Sequence, residues 1–190
     1  MTTRKILVEQ VLRKLSGGNI SPNFAITDLE VGKLVDQVAN GVIAIECKKG
    51  LRDDYVTTYE NVPIVLDENL NLYYSDIKRV ISLPNQEGVV QISSMQDQSI
   101  IFIACDANAR FKYPNIADLL GTTAGYYNEQ KKIFYLNYSP STNITSALIK
   151  LVVDRSELDE EEDYNIPSGE IEDLIINLTL NKFQGKWQHC

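Results

Sequence analysis

The sequence predicts an α+β fold: N-terminal helices, a central antiparallel β sandwich or partly open barrel, and a C-terminal helix. Three observations lead there. Apolar residues recur at helical spacing before residue 50 and again after residue 168, and the stretch between them breaks into short β-branched and aromatic runs divided by turn residues. This assigns 1–50 to a helical pair, 51–155 to a β region packed on the helices, and 156–190 to an acidic linker with a C-terminal helix, read as one domain with a C-terminal extension. At 190 residues, one domain of this size hides roughly 70% of the surface its unfolded chain exposes.

The first helix runs from about Thr3 to Leu15. Leu7, Val8, Val11, Leu12 and Leu15 share one face, and Gly17 and Gly18 are a natural stop. Asn19 to Phe24, with Ser21 and Pro22, is a turn leading into the best-specified stretch, Ile26 to Glu46. There Thr27 is placed as N-cap, Glu30 reaches back to it, and Ile26 is set to staple onto Val31. Val31, Leu34, Val35, Val38, Val42 and Ile45 form its apolar stripe, with Asp36, Gln37 and Asn40 falling elsewhere, and Gly50 ends it.

From Tyr55 the period changes. Tyr55–Tyr59, Val62–Leu66, Leu70–Ser75, Lys78–Leu83, Val89–Ser93, Ile100–Cys105, Ile133–Asn137 and Ala147–Asp154 read as strands. Three local hairpins are expected, through Asp67-Glu68-Asn69, through Pro84 to Gly88, and through Asn128 to Lys131. Asn108 to Gly121 reads as a crossover with one short helical turn. The paired rings Tyr73-Tyr74 and Tyr126-Tyr127 fall on either side of their strands, where exposed members would anchor an interface.

The run Asp154 to Asp163 reads as a solvated linker. Its carboxylates lack the glycine-centred spacing of a calcium loop. In the last helix, expected to be capped by Ser168, Ile171, Leu174, Ile175 and Leu178 make one apolar stripe. Ile176, Leu180, Phe183 and Trp187 make a second. One sheet cannot cover both faces, so these eight residues are the expected interface unless the helix is sandwiched inside the domain.

Chemistry is sparse. The one histidine, His189, is next to last; there is no GxxxxGK or GxGxxG phosphate loop and no HExxH. Cys47, Cys105 and Cys190 are too few and too far apart for a disulfide framework or a zinc site, and Cys105 reads as a small buried hydrophobe. No cofactor or metal is called for. A net charge of -8 opposes a nucleic-acid-binding surface, which needs clustered Lys and Arg. No apolar run reaches membrane-spanning length, and the start MTTRKILVEQ has no signal-peptide core, so the protein is expected to fold and act in the cytoplasm of whatever cell makes it.

The order RKILVEQVLRKLSGG, SPNFAITDLEVGKLVDQVANGVI, DDYVTTYENVPIVLDENLNLYYSDIKRVISLPNQEGVVQIS and IPSGEIEDLIINLTLNKFQ resembles virion proteins of crAss-like tailed bacteriophages, of the head-to-tail connector or ring-protein kind. The resemblance covers nearly the whole chain to about Gln184; the ending GKWQHC departs from it. It implies a non-enzymatic subunit that stacks with copies of itself in a twelvefold ring below the portal, touching the portal and adjacent tail or ring proteins. DNA would pass through the lumen without sequence-specific contact. A negative channel repels phosphates, and Asp159, Glu160, Glu161, Glu162 and Asp163 are the expected lumen charge. Two other classes stand beside this one. A virion-borne carboxylate hydrolase would need two acids facing each other across a cleft, and a glycan-binding β module would need exposed rings in a groove.

Overall fold

The structure, a computed structural model, describes residues 2–18, 26–69, 72–83, 87–105, 124–128, 132–136, 144–167 and 169–187. The fold is α+β, with two N-terminal helices, antiparallel sheets and a C-terminal helix. The chain forms two compact units: Met1–Val56 together with Asp154–Cys190, and Thr57–Val153. The N-terminal pair and the C-terminal helix therefore belong to one unit.

In that helical unit α1 spans Arg4–Leu15, with Thr3 as N-cap and Leu7, Val8, Val11 and Leu12 buried. Its end is tied by the Gly18 amide donating to the Arg13 carbonyl at 2.8 Å. α2 spans Asp28–Lys48 and carries the full capping box: Thr27 Oγ1 accepts from the Glu30 amide, and Glu30 Oε2 accepts from the Thr27 amide at 3.0 Å. It closes in a Schellman motif, with Gly50 at φ 92 and the Leu51 and Gly50 amides donating to Glu46 and Cys47. A side chain would strain that left-handed conformation. α3 spans Gly169–Trp187 and packs on both α1 and α2. Ser168, its expected cap, and the turn Asn19–Phe24 lie outside the described residues.

Two residues of α2 depart from the periodic reading. Ile45 is 56% exposed, and Asp36 is 3% exposed. The buried arc of α2 extends past the aliphatic stripe to take in Ala39, Ile43 and Cys47, which turns Ile45 outward and Asp36 toward α1.

The second unit holds two sheets. The three-stranded sheet has the order β1 (Thr57–Pro63), β8 (Ser146–Leu151), β4 (Val89–Ser94), all antiparallel. β8 is central, and four of its six residues, Ala147, Leu148, Ile149 and Leu151, are buried, as suits a strand packed on both sides. The run expected at Val62–Leu66 divides: Val62 and Pro63 continue the strand begun at Thr57, bulged between Tyr59 and Val62 where Asn61 sits at φ 55, while Val65 and Leu66 start β2 (Val65–Asp67) in the other sheet. Tyr55 itself closes a 3₁₀ turn, Arg52–Tyr55, in the helical unit.

The five-stranded sheet has the order β2 (Val65–Asp67), β3 (Leu72–Asp76), β7 (Lys132–Leu136), β6 (Ala124–Asn128), β5 (Ile103–Cys105). The hairpins β2–β3 and β6–β7 form as the turn residues suggest. β5 and β6, by contrast, pair in parallel. Their connection, residues 106–123, has the length a parallel crossover needs. The short helical turn expected there lies outside the described residues, as do the side chains of Cys105, Tyr126 and Tyr127.

The hairpin expected through Pro84 to Gly88 does not form between the described residues on either side of it. Lys78–Leu83 contributes the bridge Val80–Val153 and an Ile81 amide donating to the Val152 carbonyl, while Val89–Ser94 pairs with β8. The run after β8 takes the backbone groups that a local partner would have used.

Candidate functional site

Three features of the helical unit bear on function: a buried polar knot, an acidic strap, and an uncovered flank of α3. The knot begins with Arg4 in the first turn of α1. Its Nε donates to Asp36 Oδ1 at 3.0 Å, its Nη2 donates to Oδ2, and the Tyr164 hydroxyl also donates to Oδ1. The Asp36 side chain is 5% exposed, that of Arg4 21%, and Tyr164 is fully enclosed. Burial works against the Arg4 charge, but the hydrogen bonds to Asp36 and Tyr164 outweigh it and hold the guanidinium above its ordinary range. Burial, then the bond to Asp36, pushes the Tyr164 hydroxyl up from its ordinary value.

A second buried tyrosine, Tyr55, is 1% exposed. Burial, then the Glu46 carboxylate, raises it to about 12. Both tyrosines hold their proton longer folded than unfolded. Their contribution is intact below the unfolded value of 10 and falls as pH rises through the folded value. Each should therefore remove about 1.4 kcal/mol of stability per pH unit above about pH 10. Urea midpoints followed upward from about pH 9 should fall accordingly, and in the Tyr55→Phe or Tyr164→Phe variant the slope should lessen by one proton's worth.

The strap is the acidic run. Asp154 caps a 3₁₀ turn, Arg155–Glu157, and accepts from Asn40 Nδ2 at 2.7 Å, while Asn40 Oδ1 accepts the Arg155 amide at 2.9 Å. Arg155 and Leu158 are buried. Further on, Glu161 accepts from Lys5 Nζ at 2.9 Å, Asp163 accepts from the Thr2 amide at 3.3 Å, and the Tyr164 amide donates to the Thr2 carbonyl at 2.8 Å. The run expected as a solvated linker is thus tied to the start of α1 and carries a buried arginine. Asp159, Glu160 and Glu161 are exposed along it; Glu162 and Asp163 are half-buried. Among the described residues no group of three or more His, Cys, Asp or Glu is arranged to hold a metal ion.

On α3 the eight expected interface residues divide. Ile175 and Ile176 are fully enclosed and Phe183 is 8% exposed, together with Thr179, whose hydroxyl donates to the Ile175 carbonyl at 2.7 Å. Leu180 is half-buried, and the Trp187 side chain lies outside the described residues. That leaves Leu174 and Leu178, 41% and 39% exposed, with half-buried Ile171 completing an i, i+3, i+7 row. The core face of α3 draws on both periodic stripes because its centre lies between them. Its uncovered flank is therefore narrower than the sequence suggests.

Between α1 and α2, on the flank of α1 away from α3, runs a groove of about 520 Å³. Val8, Leu12 and Gly32 contribute apolar lining; Leu29, 67% exposed, also lines it, as do Arg4 and Asp36. α3 lies on the other flank of α1, where Glu172 accepts from Thr2 Oγ1 and Gln10 Nε2, each at 3.0 Å. Neither the knot nor the groove is legible in the sequence. A lone aspartate beside a valine stripe reads as solvent-facing until the arginine across from it is known. No helix among the described residues is long and apolar enough to cross a membrane. No protein-family model and no curated protein matches the chain.

Proposed function

We propose that the chain is a non-enzymatic structural subunit of a tailed-phage virion: a head-to-tail connector or ring protein that assembles with copies of itself below the portal. The observation that carries this reading is the row Ile171, Leu174 and Leu178 on a helix whose opposite face already belongs to a core. Two leucines held about 40% exposed on one rigid face are apolar surface that a subunit interface would remove from water. The resemblance to connector proteins of crAss-like phages supplies the identity of the neighbours, namely sister copies, the portal and adjacent ring or tail proteins.

In such a ring the acidic strap is the part suited to face DNA. Asp159, Glu160 and Glu161 are exposed on a segment fixed by hydrogen bonds, and fixed negative charge repels phosphates and lets DNA slide. The test is a map of the assembled neck together with mass spectrometry of purified particles. The expected result is one ring of this chain against the portal or a neighbouring ring; absence of the chain from particles overturns the reading.

A further inference from the structure

We propose that the α1–α2 groove is the seat for α3 of a second copy of this chain, so that copies join head to tail; this rests on the ring reading and specifies its contact. A ring built from one kind of chain needs two different patches that fit each other, because a patch that pairs with itself closes a dimer. The helical unit carries two such patches on opposite flanks of α1: the groove on one side, and α3 on the other.

The two match in length. From Ile171 to Leu178 the α3 row extends about 10 Å, and the groove follows α1 from Arg4 to Leu12 for about 12 Å. They also match in polarity. The groove offers exposed Leu29 to the incoming leucines, over a floor formed by the buried side chains of Val8 and Leu12.

Charge sets the direction. The bonded pair Arg4–Asp36 marks one end of the groove, with Lys33 about one turn before Asp36, and Asp28, the first residue of α2, marks the other. α3 begins with exposed Glu170 and Asp173 and reaches exposed Lys182 further along. It therefore seats with its first turn toward Lys33, and with Lys182 toward Asp28.

The test uses the full chain and two variants altered only at exposed positions, so that each keeps its fold, as circular dichroism would verify. Leu174→Glu with Leu178→Glu spoils the helix row; Leu29→Glu with Lys33→Glu spoils the groove. In sedimentation velocity the unaltered chain should self-associate, and each double variant alone should associate about 100-fold more weakly, about tenfold for each altered contact residue. An equal mixture of the two should recover a dimer and nothing larger, because it contains one intact groove and one intact row. A groove variant that associates like the unaltered chain overturns the proposal, and so does an unaltered chain that stays monomeric at every concentration. A neck map with the chain in a ring and its groove empty overturns the groove assignment alone, whereas absence from particles removes the ring reading and leaves the mixing result to stand by itself.

Discussion

Replacing Asp36 by alanine lowers the stability of the helical unit by about 3–5 kcal/mol, the range for breaking a buried ion pair from one side. Three donor groups on two side chains lose their acceptor at once. The Arg4 guanidinium, its side chain 21% exposed, keeps its charge without the carboxylate, and the Tyr164 hydroxyl is left fully enclosed with no oxygen to donate to. The loss should appear as a lower urea midpoint at constant slope, followed by helical circular dichroism.

The contrasting experiment removes all three polar groups together. Arg4→Met, Asp36→Leu and Tyr164→Phe in one chain should cost far less than Asp36→Ala, since an apolar replacement of the whole knot leaves nothing desolvated and unsatisfied. If Asp36→Ala costs under about 1 kcal/mol, the knot contributes no more than an exposed pair would.

Replacing Gly88 by alanine destabilises the β unit by about 1–3 kcal/mol, the scale of an overpacked site. A Cβ there would collide with Val80 Cγ1 and stand 2.8 Å from the Ile81 carbonyl oxygen. The first contact is with a side chain that can be trimmed. The second is with backbone held in place, because the Ile81 amide donates to Val152 at 2.9 Å and the Gly88 carbonyl accepts from the Val152 amide at 2.8 Å. Adding Val80→Ala to Gly88→Ala should therefore restore only part of the loss. Full restoration would show that the carbonyl moves freely and that the close approach at Gly88 is not required.

These two sites mark how far the sequence could be read. Thr27 with Glu30, and Gly50 at φ 92, are local signals: the groups that satisfy each other lie within a turn or so, and each appears where its spacing says. The hairpins at Asp67–Asn69 and Asn128–Lys131 are local for the same reason. The central position of β8, between strands 50 and more residues earlier, depends on which backbone groups are still unpaired when the chain returns, and turn chemistry says nothing of that. The same limit hides Asp36. Its angle on α2 follows from periodicity, but its meaning comes from Arg4, 32 positions away, and Tyr164, 128 positions away. The surplus on α3 was visible as composition; which leucines stay outside depended on where α1 and α2 dock.

The division of the chain sets an order of events during synthesis. The helical unit is interrupted: it starts at the first residues, stops at Val56, and resumes at Asp154, after the whole β unit has been made. At about 5–20 residues per second, a ribosome needs on the order of ten seconds to pass from Asp36 to Tyr164. For that interval the newborn helical hairpin has its arginine and its aspartate but neither the tyrosine nor the third helix, so its inner side stays open to chaperones and to other nascent chains. A message cut short between residues 154 and 164 yields a product that has completed its β unit and can never close its helical one.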